Sequence, residues 1–309
     1  MIYSLTVAPA IDYTLDMEGH HLRVNGVNRP ESKGLSVGGK GIKVSRMLNN
    51  LKIKSLPIIA AGGSNGKMIM DIVNKEFDKV KYLPVIGESR IDVLITGPSI
   101  DLRFDPPAPK ISDKGLETLY TFFEKNIKEG DIVVLAGSTG QEEKNIYANL
   151  IKKYLTPKKA YTFLDTSGEA LSLGIKEKPF FIKPNEEELA DLLKKELVSD
   201  EDIIVAGQEL RKQGPQSILV TMGNRGAYYF AQDNSIYHCT TAVGKQISAV
   251  GAGDSSIAGF IKGLTEGKDI ETCLTYSMAA GSATAFSKLL GSYSLFKSLV
   301  PKIKVTRIK

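Results

Sequence analysis

The chain has 309 residues, 42% of them hydrophobic, a net charge of +5 and two cysteines, enough apolar content for one large α/β unit or two smaller ones. The basic excess forms no Lys/Arg block and no run of about 18 apolar residues occurs, so neither a nucleic-acid surface nor a membrane span is indicated. Cys239 and Cys273 make no metal or disulfide pattern and the first residues carry no leader signal, so a cytoplasmic protein is expected.

Residues 2–7 alternate and read as a strand. Ala8-Pro9-Ala10-Ile11-Asp12 closes it and leaves Asp12 where a loop begins. An acid there suits either a ligand's hydroxyls or a plain turn. Residues 13–37, broken by Gly19, Gly26, Pro30 and Gly34, are expected as an exposed lid of short strands. Gly38-Gly39-Lys40-Gly41 then opens a helix with Ile42, Val44, Met47, Leu48 and Leu51 on its apolar face. Lys40 and Lys43 lie within reach of that anion-friendly turn. It is no P-loop, because Gly41 stands where a magnesium-binding hydroxyl is required.

A strand at 56–61 precedes a helix through Met68, Ile69, Ile72 and Val73. Strands at 90–95 and 101–105 carry Arg90 and Arg103, which are either solvated surface residues or phosphate ligands. From 113 onward helices and strands alternate. Helices are expected over 113–127, 143–154 and 200–212, and strands over 132–135, 161–164, 180–182, 217–221 and 227–230. This order predicts a parallel sheet covered by helices on both faces. Polar and glycine residues gather just past the strands, where such sheets bind ligands: Gly137-Ser138, Asp165-Thr166-Ser167-Gly168, Lys183-Pro184-Asn185 and Gly223-Asn224-Arg225-Gly226.

The β-prone run 246–250 leads into Gly251-Ala252-Gly253-Asp254, and a helix is expected over 255–264. Glycines at a strand-to-helix turn let a ligand approach the backbone, and the free N–H groups of the first turn favour a phosphate. Asp254 at its rim is either a helix cap or a base that deprotonates a hydroxyl attacking a phosphoryl group. A dinucleotide fingerprint is excluded, because Ser256 replaces the third glycine and the motif lies near the chain's end. Helices over 270–286 and 295–300 follow.

Taken in order, Pro9-Ala10-Ile11-Asp12, Gly38-Gly39-Lys40-Gly41-Ile42, Ala136-Gly137-Ser138, Asp165-Thr166-Ser167-Gly168-Glu169, Lys183-Pro184-Asn185 and Val250-Gly251-Ala252-Gly253-Asp254 resemble the PfkB carbohydrate kinases of the ribokinase superfamily. The resemblance covers nearly the whole chain and is strongest to the branch of sugar-phosphate kinases that includes 1-phosphofructokinases and tagatose-6-phosphate kinases. It implies a single domain over 1–309 with a ribokinase-like three-layer α/β/α fold, a mostly parallel central sheet and a small β-strand lid from insertions at about 13–37 and 88–108. It also implies ATP and Mg²⁺, and transfer of phosphate to a phosphosugar, with fructose 1-phosphate giving fructose 1,6-bisphosphate. Tagatose 6-phosphate and fructose 6-phosphate are the alternative acceptors.

By the same resemblance Asp254 would be the base, and the N–H groups of Gly251, Ala252 and Gly253 would hold the transferring phosphoryl group. Lys183, Asn185, Thr221, Gly223 and Gly226 would bind nucleotide. Asn185 and Glu188 would position Mg²⁺ through water. Asp12, Gly39 and Ser138 would meet sugar hydroxyls, with Lys40, Lys43, Arg90 and Arg103 around the substrate's phosphate. A homodimer joined through the lids is implied too. Ala8, Lys43 and Ser138-Thr139-Gly140 depart from the branch's usual residues, and Arg103 is similar to the arginine of the minor 6-phosphofructokinases where 1-phosphofructokinases tend to carry an acid, so the sugar end is altered while the transfer end is intact. A non-catalytic phosphosugar sensor is the rival reading, and a retained Asp254 with Asn185 and Glu188 argues against it.

Overall fold

A computed structural model describes residues 1–17, 22–97, 100–140 and 144–309. The strands, in chain order, are β1 (Ile2–Thr6), β2 (Ala10–Asp16), β3 (Ser32–Gly38), β4 (Leu56–Ala61) and β5 (Lys81–Pro84). Then come β6 (Arg90–Gly97), β7 (Ile100–Phe104), β8 (Ile132–Ala136), β9 (Tyr161–Asp165) and β10 (Phe181–Ile182). The last are β11 (Ile218–Thr221), β12 (Ala227–Phe230), β13 (Ile236–Cys239) and β14 (Val305–Arg307). The helices are α1 (Lys40–Asn50), α2 (Gly63–Val73), α3 (Asp113–Asn126), α4 (Ile146–Leu150) and α5 (Gly168–Ile175). They continue with α6 (Glu186–Leu193), α7 (Asp200–Lys212), α8 (Ala252–Thr265), α9 (Ile270–Ala285) and α10 (Tyr293–Leu299).

Among the described residues, ten strands form one sheet in the order β14-β13-β12-β11-β10-β9-β8-β1-β4-β5. The pairings from β5 across to β11 are parallel, and β12, β13 and β14 add an antiparallel edge. Every residue of β1 and β8 is buried, as expected for central parallel strands with helices on both faces. Alternation divides their side chains. Tyr3, Leu5 and Leu135 enter one core with Leu119, Tyr147, Leu171, Leu189 and Ile203 from α3 to α7. Ile2, Val134 and Ala136 enter the other with Val44, Met47, Ile257, Leu274 and Phe296 from α1 and α8 to α10. The three-layer α/β/α arrangement follows from that division.

The remaining four strands make a second sheet, β3-β2-β6-β7, whose strands lie within or beside the two stretches expected as a lid. Ile11 and Val37 root it in a third apolar cluster with Ile42, Ile59 and Ile69.

Several boundaries differ from the sequence reading. Asp12 does not begin a loop. It is the third residue of β2, paired across to Ser36 and Asp92. Residues 246–250 are not a strand: Ile247 and Val250 stay exposed, and the N–H groups of Ile247 and Ser248 both donate to Ala285 O at 2.8 and 3.1 Å. The end of α9 therefore takes the hydrogen bonds that a sheet neighbour would have taken. Of the helix expected over 143–154, Glu143 lies outside the described residues, Lys144 and Asn145 form a turn, and α4 followed by a π-helical turn, Ile151–Leu155, makes up the remainder. Parts of the expected lid, 18–21 and 98–99, also lie outside the described residues.

Candidate active site

The site forms where β1, β8, β9 and β10 end, in front of the N-termini of α1 and α8. Gly251 caps α8 at φ 83°, ψ 0°, a left-handed conformation that only glycine adopts without strain. Gly253 is tight for another reason: a Cβ there would lie 2.8 Å from Lys183 Nζ. Asp254 is the third helical residue, not the cap, and makes no capping hydrogen bond. The structure therefore removes the cap alternative for this acid. The anion hole itself needs one correction. Ala252 N–H donates to Ala249 O at 3.2 Å, closing the turn, whereas the N–H groups of Gly251, Gly253 and Asp254 have no hydrogen-bond partner among the described residues. The N–H groups left free at this turn are thus those flanking Ala252.

Asp254 faces a cavity of about 320 Å³ that it shares with Asp12, Lys40, Lys43, Arg90, Arg103 and Ser138. Gly39, the φ 127° cap of α1, and Gly251 line it as well. The expected sugar-side and transfer-side residues are therefore brought together around one space. Buried polar atoms without partners concentrate there: Thr6 Oγ1, Asp12 Oδ1, Arg90 Nε and Asp92 Oδ1 all belong to residues of its wall. Folded chains rarely leave such groups unpaired, and a polar ligand is the simplest partner for a set of them. A second cavity of about 430 Å³ adjoins, sharing Arg90 and Ser138.

Electrostatics differ between the walls. Burial, with the nearby Asp165 charge, pushes the Asp254 carboxyl up to about 6, against the pull of Lys43, Lys40 and Lys183. Asp165 is itself buried, yet Lys183 and Lys40 hold its carboxyl below the usual range. Burial disfavours the charged form of Lys40, but Asp165, Asp254 and Glu188 together more than offset this and raise its pKa. At the lid, burial raises both Asp12 and Asp92. Asp92 Oδ2 takes Arg90 Nη2 and Arg103 Nη2, each at 3.4 Å, and Arg103 Nε reaches Asp105 at 2.6 Å.

The expected nucleotide residues line up along neighbouring strand ends. Lys183 follows β10 and Thr221 ends β11, with Thr221 N–H donating to Pro184 O at 3.0 Å. Asn185 bridges to Thr221, and Gly223 and Gly226 bound the short 3₁₀ turn beyond it. Asn185 and Glu188 form a capping box for α6: Glu188 N–H donates to Asn185 Oδ1 at 2.7 Å and Asn185 N–H to Glu188 Oε2 at 2.8 Å. The other Glu188 oxygen has no hydrogen-bond or ion-pair partner among the described residues. Among the described residues no group of three or more His, Cys, Asp or Glu could cage a metal. This donor set fits only a hydrated hard cation that takes most of its ligands from water and phosphate.

Sequence reasoning gave Asp92 and Thr6 no role and placed Asp165 in a strand-end motif without assigning it a function. Asp92 was findable: it lies two residues after Arg90 on a strand, hence on the same face. Asp165 ends a parallel strand, the position at which such sheets present functional groups.

The chain matches the profile of the pfkB family carbohydrate kinases over residues 1–294. It belongs to that family. It is 35% identical to the 1-phosphofructokinase of Bacillus subtilis over 309 residues, 100% of both chains. It is 29% identical to the D-tagatose-1-phosphate kinase of Bacillus licheniformis, again over 100% of both. The crystal structure of phosphofructokinase-2 from Escherichia coli in complex with substrates and products superposes with a TM-score of 0.88 at 25% identity, covering 97% of this chain and 98% of that one. This PfkB chain is an ATP-dependent sugar-phosphate kinase with the ribokinase-like fold of those relatives. Among its described residues no helix is long and apolar enough to cross a membrane.

Proposed function

We propose that the chain transfers the terminal phosphoryl group of ATP to fructose 1-phosphate, giving fructose 1,6-bisphosphate, with Asp254 as the base. One observation carries this reading: a buried carboxylate, its pKa pushed up to about 6, stands beside free N–H groups at a helix start and faces a cavity ringed by cations. An acid titrating there is mostly ionised at neutral pH and still basic enough to take a hydroxyl proton. The sugar hydroxyl lies against Asp254 and loses its proton to it as its oxygen attacks phosphorus. The N–H groups of Gly251 and Gly253 hold the phosphoryl oxygens, and Lys183 neutralises charge beside them. Asp12, Gly39 and Ser138 take the sugar hydroxyls. Arg90, Arg103, Lys40 and Lys43 surround its phosphate.

Thr221, Gly223 and Gly226 line the nucleotide, and Asn185 with the second oxygen of Glu188 would hold Mg²⁺ through its water. When bound, that cation neutralises charge on the triphosphate. The lid sheet carries Leu35, Ile91, Leu102 and Phe104 exposed, and among the described residues no strand pairs with the outer edges of β3 and β7. Pairing two lids in a homodimer would cover both.

A second acceptor, D-tagatose 1-phosphate, is favoured by the relative of that specificity at 29% identity. A panel of fructose 1-phosphate, D-tagatose 1-phosphate, fructose 6-phosphate and tagatose 6-phosphate, scored by ADP release as kcat/KM, tests the reading. Fructose 1-phosphate is expected to lead. A lead for either 6-phosphate overturns the assignment of the sugar, and no turnover with any acceptor overturns the kinase.

A further inference from the structure

Asp165 stands behind the cavity at the end of β9, its side chain 1% exposed. Its Oδ1 receives Lys40 Nζ at 3.2 Å and faces Lys183 Nζ at 3.6 Å. Its Oδ2 is buried without a partner. The buried Tyr147 hydroxyl, which feels the Asp165 charge, gives it no hydrogen bond, because it donates to Ala136 O and Gly137 O at 3.0 and 3.2 Å.

An ion pair kept only for structure would balance one carboxylate with one cation. Here one carboxylate serves two ammonium groups, arriving from α1 and from the turn after β10, so the cluster carries net positive charge. Both lysines border the transfer point. Lys40 lines the cavity with Gly251 and Asp254, and Lys183 Nζ fills the space over Gly253. Long lysine side chains hold such places only when something restrains them.

We propose that Asp165 is a positioning residue for phosphoryl transfer, anchoring Lys40 and Lys183 beside the glycine turn and presenting a second negative charge behind Asp254. The charged groups acting on Asp254 come from three elements besides its own: Asp165 from β9, Lys40 and Lys43 from α1, and Lys183 from the turn after β10. Asp165 alone among them makes Asp254 harder to ionise, and the lysines act in the opposite sense. Asp165 thus does two things to the same reaction: it fixes the cations and it keeps the base strong.

The proposal rests on Asp254 as the base, and the test separates the two claims. The pH profile of kcat/KM is measured by ADP release for the wild-type enzyme and for D165N, D165E and D254N. Removing the Asp165 charge lowers the Asp254 pKa, so the acid limb of D165N is expected below that of the wild type. Its kcat is expected to fall about tenfold to a hundredfold as the lysines lose their anchor. An acid limb that stays in place in folded D165N, checked by thermal melting, overturns the positioning role. D165E keeps the charge and displaces it, so its kcat is expected to fall with the limb unmoved, and this variant decides the matter if D165N does not fold. An unchanged kcat in D165E overturns the anchoring. Near-normal kcat in D254N overturns the base instead, whatever D165N does.

Discussion

The two ends of the cavity are built differently. On the proposed reading the transfer end uses backbone N–H groups and side chains rooted in the main sheet: Asp254, Asp165 and Lys183 are each less than a tenth exposed. At the sugar end Asp12, Arg90 and Arg103 ride on the four-stranded lid, where Arg103 is 45% exposed and β7 is open to solvent along most of its length. The contrast matches what each end must do. Charge developing at phosphorus has to meet dipoles that are already fixed, because reorienting them during the reaction would cost free energy. The sugar has to enter and leave, and elements that move come from the less buried parts of a fold.

Substitutions at the two ends should therefore fail in different ways. Asp254→Asn keeps the shape of the transfer end but cannot accept a proton, so kcat is expected to drop by about 10² to 10⁴ while ATP binding persists. A variant that keeps kcat within a factor of a few would remove the acid from the chemistry. Arg90→Ala should act on the other kinetic constant. Losing charge-assisted hydrogen bonds to a phosphate is expected to raise KM for the phosphosugar about tenfold to a hundredfold with a smaller change in kcat. A steady-state comparison in which kcat falls and KM does not would mean that the two ends are not separate.

The same contrast explains what could be read from the sequence. Gly251 and Gly253 announce the transfer end because backbone geometry and close approach require glycine there, and such requirements are local in the chain. The βα alternation from Asp113 onward announces the sheet for a similar reason: each strand and helix carries its own period. The lid was less legible. Asp12 and Asp92 are neighbours only because β2 and β6 pair in parallel across about eighty residues of chain, and alternation within a strand sets which side chains share a face but not which distant strand lies beside it. The misreading of 246–250 has a related cause. Its β-branched residues suit a strand, but the backbone is taken by the end of α9, a contact that no local pattern encodes.

Acidity offers a finer test of the comparison. With Asp254 pushed up to about 6, kcat/KM should fall as pH falls through that value, approaching tenfold per unit below it. ATP and the phosphosugar bring further negative charge, which raises the pKa of a neighbouring carboxyl. The acid limb of kcat should therefore lie at higher pH than that of kcat/KM. A pH profile in which the two coincide would mean that the bound anions are fully neutralised by the lysines and the cation.

The smallest expected effect falls where structure and function share a residue. Glu188 spends one oxygen on the cap of α6, and the other has no partner among the described residues. Glu188→Gln keeps an acceptor for Asn185 N–H and loses the negative charge, whereas Glu188→Ala loses both. If the free oxygen organises the water around Mg²⁺, both variants should need more Mg²⁺ for half-maximal rate. Only the alanine variant should also melt earlier, by about 2 °C, the shift expected from losing a cap interaction of about 1 kcal/mol in a chain of this size. A Mg²⁺ requirement that tracks the melting temperature would reduce Glu188 to a helix cap. A requirement that rises equally in both variants separates the cation's partner from the cap within one side chain.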